Sequence, residues 1–256
     1  LAVNAVAWPI NFTLKNYADV FKSGDVPHAF LISVLRTSIG TACTLLACML
    51  LGYLFSKEDM PLRKVMYRIL IITMYVSGGL IPTYLVYMAY RLTNSFLVYI
   101  LPAVVDAYYV ILIKTYVEQL PISVEESAMI DGAGTMCIFL KIILPMSLPI
   151  VATIAIYASV GQWNSWFDNH IYTRGNESLT TLQYLLYNYL NEAQRLANQI
   201  KNTTNAAGMN QLVSNSISPK GIRMTITVLA SLPIFMVYPF MQKYFVKGVM
   251  VGSVKG

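Results

Sequence analysis

The sequence is poor in charge. Only 12% of its 256 residues are Asp, Glu, Lys or Arg, whereas 56% are hydrophobic. Soluble domains carry about 25% charged residues, so this chain has about half the charge that normally keeps a globular surface in water. The shortage argues against an ordinary soluble domain. The net charge of +6 does not indicate nucleic-acid binding, because the basic residues lie mostly in loops between apolar runs.

Residues that carry chemistry are also scarce. Of the three cysteines, Cys43 and Cys48 share one apolar run and turn apart on a helix, so they predict no disulfide framework. Neither a metal-ligand cluster nor a nucleophile beside its base is visible, and we expect His28 and His170 to face solvent or bond locally. No Walker-type phosphate loop occurs. We therefore expect a chain that is not an enzyme, with no catalytic residue, metal or cofactor of its own.

What the chain does have is long apolar segments. A helix of roughly 20 apolar residues crosses a bilayer, and lipid offers no hydrogen-bond partners to an open backbone. The sequence predicts five membrane-spanning helices, at residues 30–55, 65–87, 96–116, 142–163 and 225–245. Gly78, Gly79 and Pro82 should bend the second helix and bring backbones close, and Pro145 and Pro149 should kink the fourth.

The Lys and Arg residues of the short loops give an orientation. Residues 57–68 and the segment after the last helix are both basic, which places them in the cytoplasm. Residues 118–141 then lie inside, and residues 1–29 and 164–223 lie outside. We predict a membrane domain over residues 30–245, a helical outer insertion over residues 164–223, and a cytoplasmic C-terminal tail over residues 246–256.

The most informative polar interruption is residues 121–134. Pro121 should end the preceding helix. Ser123 and Glu126 form a capping-box pattern that predicts the start of a short helix, and Gly132 and Gly134 predict its end. Such a helix is too polar to stay in lipid, so it should run along the cytoplasmic face. Local pattern alone also fits an ordinary interfacial helix.

The spacing of residues in and after this segment favours a specific functional loop over an ordinary interfacial helix. Glu126-Ser127-Ala128, then Gly132, then Ile142-Ile143-Leu144-Pro145 resembles EAA-x3-G-x9-I-x-L-P, the signature loop of ABC importer permeases, with Ser127 in place of one alanine. Other segments are similar to maltose-type carbohydrate permeases, in the branch that imports aldouronates and other polysaccharide-derived oligosaccharides. These segments are residues 12–17, 78–84, 161–168 and 242–256.

This resemblance implies an all-α integral membrane protein, a polytopic helical bundle of the type I ABC importer permease kind. The family has about six transmembrane helices, five of them evident here, so we expect one further helix before residue 1. The loop would form a coupling helix that docks on an ATPase subunit. Its coupling residues would be Glu125, Glu126, Ser127, Ala128, Asp131, Gly132 and Ala133.

The resemblance also implies partners. They are a second homologous permease in a heterodimer, two ATPase subunits that bind ATP and Mg, an extracytoplasmic solute-binding protein and an oligosaccharide cargo. The location would be the bacterial cytoplasmic membrane. An ABC permease for a non-sugar solute stays open as an alternative, because such permeases share the loop. A secondary transporter would need several acidic residues deep in its helices, and only Asp106 fits.

Polar and aromatic residues within or beside the predicted spans are candidates for the cargo path. Arg36 should either snorkel to the outer surface or face the path, and Asp106 should either contact cargo or bond to a neighbouring helix. Tryptophans near residue 165 also fit an interfacial aromatic belt. The candidate set is Arg36, Asp106, Tyr108, Tyr109, Trp163, Asn164 and Trp166.

Overall fold

The computed structural model describes residues 25–202, 224–225 and 227–236, and its regular elements in this part of the chain are helices. Short 3₁₀ helices at Phe96–Tyr99, Leu101–Ala103 and Glu177–Leu179 connect them. The longer helices are α1 Asp25–Ser56, α2 Arg63–Tyr75, α3 Leu80–Ala89, α4 Ala107–Val117, α5 Ile122–Ile130, α6 Thr135–Met146, α7 Leu148–Asn164, α8 Phe167–Tyr172, α9 Leu182–Asn202 and α10 Thr227–Met236.

Helix α1 is the centre of the bundle and packs against both α4 and α7. It has 32 residues, which at about 1.5 Å per residue is roughly 48 Å, more than a bilayer core requires. Gly52 allows α4 to come close, because a Cβ at this position would lie 2.5 Å from Ile113. The core between these helices is built around Met49, Tyr53 and Ile113. The first predicted span is confirmed.

The second predicted span is divided into α2 and α3. The break covers residues 76–79, where Gly79 has a φ of 80° that favours glycine. The helix is therefore interrupted where the bend was predicted, and no close approach of another described backbone is found at these glycines. No atom of the described residues lies within 4 Å of a Cβ built on Gly78 or Gly79.

The third and fourth predicted spans are also interrupted. The 3₁₀ segment Phe96–Ala103 meets α4 at 44°, and α6 meets α7 at 80°. The second bend lies at Ser147, between Pro145 and Pro149, where both prolines remove a backbone donor. The predicted kink at Pro145 and Pro149 is confirmed, and it divides the fourth predicted span between α6 and α7. Residues 142–146 belong to α6, which contains a π-turn at Phe139–Ile143.

By length and composition, one helix among the described residues is able to cross a membrane, or up to three if each bent pair is one span. α10 is a shorter apolar helix within the fifth predicted span, of which residue 226 and residues 237–245 lie outside the described residues. The same holds for residues 1–24 of the predicted N-terminal segment, for residues 203–223 of the outer insertion and for the tail at residues 246–256. Residues 25–29 belong to α1.

Candidate functional site

The start of α5 differs from the predicted capping box. The residue before the helix is Pro121, and no side chain caps the helix. Ser123 lies inside the first turn, where its carbonyl accepts a hydrogen bond of 2.8 Å from the Ser127 hydroxyl. The capping-box prediction was wrong because the fixed φ of Pro121 starts the helix at Ile122, two residues before the first helical position that a Ser123 cap predicts.

The predicted end of α5 at Gly132 is confirmed. Gly132 has a φ of 81°, and its amide donates to the Met129 carbonyl at 3.0 Å. The Ala133 amide donates to the Ala128 carbonyl at 2.9 Å. These two bonds form a Schellman motif, which satisfies the last carbonyls of a helix and turns the chain sharply.

Glu125 fixes α5 to the end of α1. Its carboxylate accepts a hydrogen bond of 2.8 Å from the Tyr53 hydroxyl and forms an ion pair with Lys57. The residue is 7% exposed. The Lys57 ammonium also lies 4.6 Å from the centre of the Tyr53 ring. We call Tyr53, Lys57 and Glu125 the inner anchor, because they join the short helix to the long one.

The other predicted coupling residues divide into two groups. Ala128 and Ala133 turn toward the bundle and pack against its core. Glu126, Ser127, Asp131 and Gly132 are exposed. On the outward side, α5 presents large apolar side chains to solvent, with Ile122 70%, Met129 52% and Ile130 86% exposed. A segment that is polar in sequence thus carries an exposed apolar face, on the side of α5 that points away from the bundle.

A cavity of about 350 Å³ lies between α1, α4, α7 and α8. Charged, amide and phenol groups dominate its polar lining, as a sugar with many hydroxyls would require. The polar lining residues are Arg36, Thr44, Tyr87, Tyr99, Asp106, Tyr109, Gln162, Ser165, Asp168 and Tyr172.

Arg36 does not snorkel to the surface. It is 3% exposed, and its guanidinium lies 4.6 Å from the centre of the Tyr99 ring. Nε donates to Gln162 Oε1 at 2.9 Å and Nη1 to the Ser165 carbonyl at 3.2 Å. Both Nη groups bind the carboxylate of Asp168, a bidentate ion pair. We call Arg36, Gln162 and Asp168 the outer anchor.

Asp106 lines the cavity and also caps α4. Its Oδ1 accepts hydrogen bonds from the Tyr108 and Tyr109 amides at 2.9 and 3.2 Å. The interhelical bond that we considered from the sequence is made by the backbone instead, since the Asp106 amide donates to Cys48 Sγ of α1 at 3.5 Å. Tyr109 lines the cavity, whereas Tyr108 is 52% exposed and does not.

The other three candidates lie away from the cavity. Trp163 is buried on the opposite side of α7, where its indole donates to the Ala230 carbonyl at 2.9 Å. Asn164 is exposed and accepts from the Gln183 amide at 3.3 Å. Trp166 stacks on Tyr187 of α9, with ring centroids 4.1 Å apart.

Several cavity residues were missed from the sequence. Gln162 and Asp168 were detectable as polar residues close to an apolar span, with Arg36 in need of a partner. Tyr99, Tyr87 and Tyr172 gave no local signal, since aromatic residues are common in membrane helices. Burial and the nearby Tyr87 and Asp168 raise the pKa of the Tyr172 hydroxyl, so at neutral pH it stays a neutral hydrogen-bonding group.

Comparison with known proteins decides the family. The chain is 36% identical over 249 residues to the polygalacturonan/rhamnogalacturonan transport system permease protein YtcP of Bacillus subtilis (strain 168), over 97% of this chain and 84% of that protein. A solved bacterial ABC transporter involved in the import of the acidic polysaccharide alginate has a chain that matches with a TM-score of 0.79. That match has 26% identity and covers 93% of this chain and 81% of that one. The chain belongs to the permease family of carbohydrate ABC importers.

A further relative agrees with this assignment. The arabinooligosaccharides transport system permease protein AraQ of Bacillus subtilis (strain 168) is 27% identical, over 97% of this chain and 81% of that protein. No family model matches the chain. The predicted family and the predicted all-α integral membrane fold are confirmed, and this permease is a transport subunit in a membrane.

Proposed function

We propose that this permease translocates an oligosaccharide into a bacterial cytoplasm. It would do so as a heterodimer with a second homologous permease, above two ATPase subunits and below an extracytoplasmic solute-binding protein. ATP and Mg would be bound by the ATPase subunits, and this chain would bind no cofactor. In this arrangement α5 and the C-terminal tail are cytoplasmic, and α8 and α9 lie outside.

The proposed coupling to an ATPase subunit depends on the exposed apolar face of α5. An apolar face on a helix outside the spans is unfavourable in water, and such patches commonly mark protein contacts. Ile122, Met129 and Ile130 form this face, with Glu126 and Asp131 beside it as charged contacts. An ATPase subunit that covered the face would remove the apolar surface from water and hold the helix.

The two anchors connect α5, through α1, to the walls of the cavity, so a displacement of α5 would be transmitted to the bundle. Glu125 links α5 to the cytoplasmic end of α1, and Arg36 links α1 to the segment that begins α8. Tyr53 and Arg36 are about 25 Å apart along α1, at roughly 1.5 Å per residue. Because α1 is one continuous helix, a displacement of α5 would tilt α1 as a rigid body and move the walls of the cavity.

The cavity is the proposed cargo route. Tyr87, Tyr99 and Tyr109 offer ring faces and hydroxyls, while Asp106 and Gln162 offer acceptors and a donor. Sugars present apolar C–H faces and polar hydroxyl edges, which match such a lining. The substrates for which YtcP and AraQ are named, polygalacturonan/rhamnogalacturonan and arabinooligosaccharides, support a carbohydrate as cargo here.

Site-directed cross-linking tests the docking of α5. Ile130 would be replaced by cysteine in the assembled transporter, with exposed Cys137 replaced by serine. We expect a cross-link from Ile130→Cys to an ATPase subunit, because Ile130 is the most exposed apolar residue of the proposed face.

Ile81→Cys is the matched control, since Ile81 is 73% exposed but lies on α3, in the proposed membrane region. This variant should give no cross-link to an ATPase subunit. If Ile130→Cys formed none in the nucleotide-free, ATP-bound and ADP-bound complexes, the docking role of α5 would be wrong.

A further inference from the structure

A second and larger cavity lies between α8 and α9, on the opposite side of α8 from the outer anchor. Its volume is about 710 Å³, within the range of about 300–1,000 Å³ that is usual for ligand sites. We call it the outer groove, and its principal lining residues are His170, Arg174, Tyr184, Tyr187, Asn191 and Arg195.

The groove is formed by one face of α9. Tyr184, Tyr187, Asn191 and Arg195 recur at spacings of three and four residues, so they lie along one side of the helix. The opposite side carries Leu185, Leu186 and Tyr189, which pack on a cluster with Val26 and Trp163. Packing of the apolar side therefore directs the polar and aromatic side toward the groove.

The groove contains two arginines that have no ion-pair partner among the described residues. Neither Arg174 nor Arg195 forms an ion pair with any described residue. Among the described residues that line the groove, Glu192 is the only acidic one. Arg36 in the cargo cavity is different, because Asp168 neutralises it by a bidentate contact. The two free guanidiniums of the groove are able to bind an anion without first breaking an internal bond.

The groove also has an aromatic wall. Tyr184 and Tyr187 lie nearly parallel, with ring centroids 6.3 Å apart and an interplanar angle of 18°. His170 meets both rings, at 5.7 and 5.4 Å, and Trp166 stacks behind Tyr187. Tyr184 is buried and supports Tyr187, which is partly exposed. A ring held in place by stacking offers an apolar surface at little cost in side-chain entropy.

We infer that the outer groove is a binding site for an anionic oligosaccharide, with a sugar ring on Tyr187 and carboxylates on Arg174 and Arg195. The inference rests on the proposed function, since it adds a substrate class to it. Pyranose rings that carry carboxylates require aromatic faces and unpaired cations together, and the amides of Asn191 and its neighbours supply hydrogen bonds to hydroxyls. A phosphate or an acidic peptide would need the cations but not the ring wall.

Binding to the assembled transporter, without its solute-binding protein, tests the site. The probes are tetragalacturonate and its methyl ester, which keeps the rings and removes the charges. We expect tighter binding of the acid, and the Arg174→Gln/Arg195→Gln double variant should weaken it at least about tenfold while leaving the ester unchanged. Tyr187→Ala should weaken both probes.

Arg91→Gln is the matched control, because Arg91 is an exposed arginine after α3 that does not line the groove. This variant should bind tetragalacturonate as the unmodified complex does. Equal affinity of the double variant, or no preference for the acid over the ester, would overturn the inference. It would also be overturned if the double variant kept its sugar affinity and lost only the docking of the solute-binding protein, since the groove would then be a protein interface.

Uptake by proteoliposomes separates this inference from the proposed function. If the complex imports an oligosaccharide but the double variant binds tetragalacturonate normally, only the groove is wrong. If the complex with its solute-binding protein imports no oligosaccharide, the proposed function fails, and the groove loses its basis as well.

Discussion

The two anchors each fix a short helix to α1, but they differ in the number and burial of their polar contacts. At the outer anchor, a guanidinium that is 3% exposed makes four hydrogen bonds and lies on an aromatic ring. At the inner anchor, Glu125 has one hydrogen bond and one ion pair, and its Lys57 partner is 25% exposed. Buried charge networks lose more when broken than half-exposed ones do.

This difference suggests which end moves. The outer anchor, with more hydrogen bonds, holds α8 and α1 as one body, whereas the fewer contacts of α5 leave the short helix able to adjust against a partner. The outer anchor therefore belongs to the rigid part of the proposed mechanism, and the inner anchor is its adjustable joint. The predictions below test this contrast, in order of decreasing expected loss of stability.

The largest loss should come from Arg36→Met. The change leaves Asp168 without its cation in a mostly buried site, and broken buried pairs typically cost about 3–5 kcal/mol. Because the Asp168 side chain is 20% exposed, we expect about 3 kcal/mol, measured by unfolding of the purified complex. The Arg36→Met/Asp168→Leu double variant should lose less than the sum of the two single variants.

Arg63→Met is the comparison at the inner end. Arg63 pairs with Glu118, and these side chains are 23% and 36% exposed, so removal of the ion pair should cost less than about 1 kcal/mol. Equal losses for Arg36→Met and Arg63→Met would show that the buried Arg36 pair is no stronger than an exposed ion pair near the inner anchor.

A smaller loss, about 2 kcal/mol, is expected for Gly52→Ala, because overpacked cores typically lose about 1–3 kcal/mol. The added Cβ would lie 2.5 Å from Ile113 and 3.2 Å from the Lys114 backbone nitrogen, so α1 and α4 must separate. Thermal unfolding of the complex measures the loss. Gly161→Ala is the control, since no described atom lies within 4 Å of its added Cβ, and an unchanged or higher stability is expected there. A Gly52→Ala complex as stable as the control would contradict the close packing.

Glu125→Ala should cost about 1–2 kcal/mol, because the Tyr53 hydroxyl loses its acceptor. The more informative result is functional, since α5 would no longer be held to α1. We expect ATP hydrolysis by the complex to continue while sugar uptake falls. Glu125→Gln keeps an acceptor for Tyr53 and should retain part of the uptake, and exposed Glu126→Gln should not lower stability. Normal uptake per ATP in Glu125→Ala would show that the inner anchor transmits nothing.

Much of this arrangement was predictable from the sequence, because lipid solvation and helix-stop signals are local. The apolar run of α1 and the stop at Gly132 follow from residues within a few turns. The contact that holds α5 to the bundle was not predictable from its own pattern, since the buried hydrogen bond that Tyr53 donates to Glu125 joins residues 72 positions apart. The same holds for Arg36 and Asp168, which are 132 positions apart. Each of these side chains looked like a surface or path residue until its distant partner was known.

The smallest loss of stability is expected at Asp106, which lies between the two anchors at the start of α4. As a cap it accepts two amide hydrogen bonds, so Asp106→Ala should cost about 1 kcal/mol, whereas Asp106→Asn caps nearly as well and should cost a few tenths. The change in stability therefore measures only the loss of the helix cap. Uptake separates the roles, because Asn preserves the cap and removes the negative charge from the cavity. If uptake falls in Asp106→Asn as far as in Asp106→Ala, the carboxylate acts on cargo or on the field that cargo meets. If only Asp106→Ala is impaired, Asp106 is a structural residue and the cavity selects its cargo through the tyrosines and Gln162.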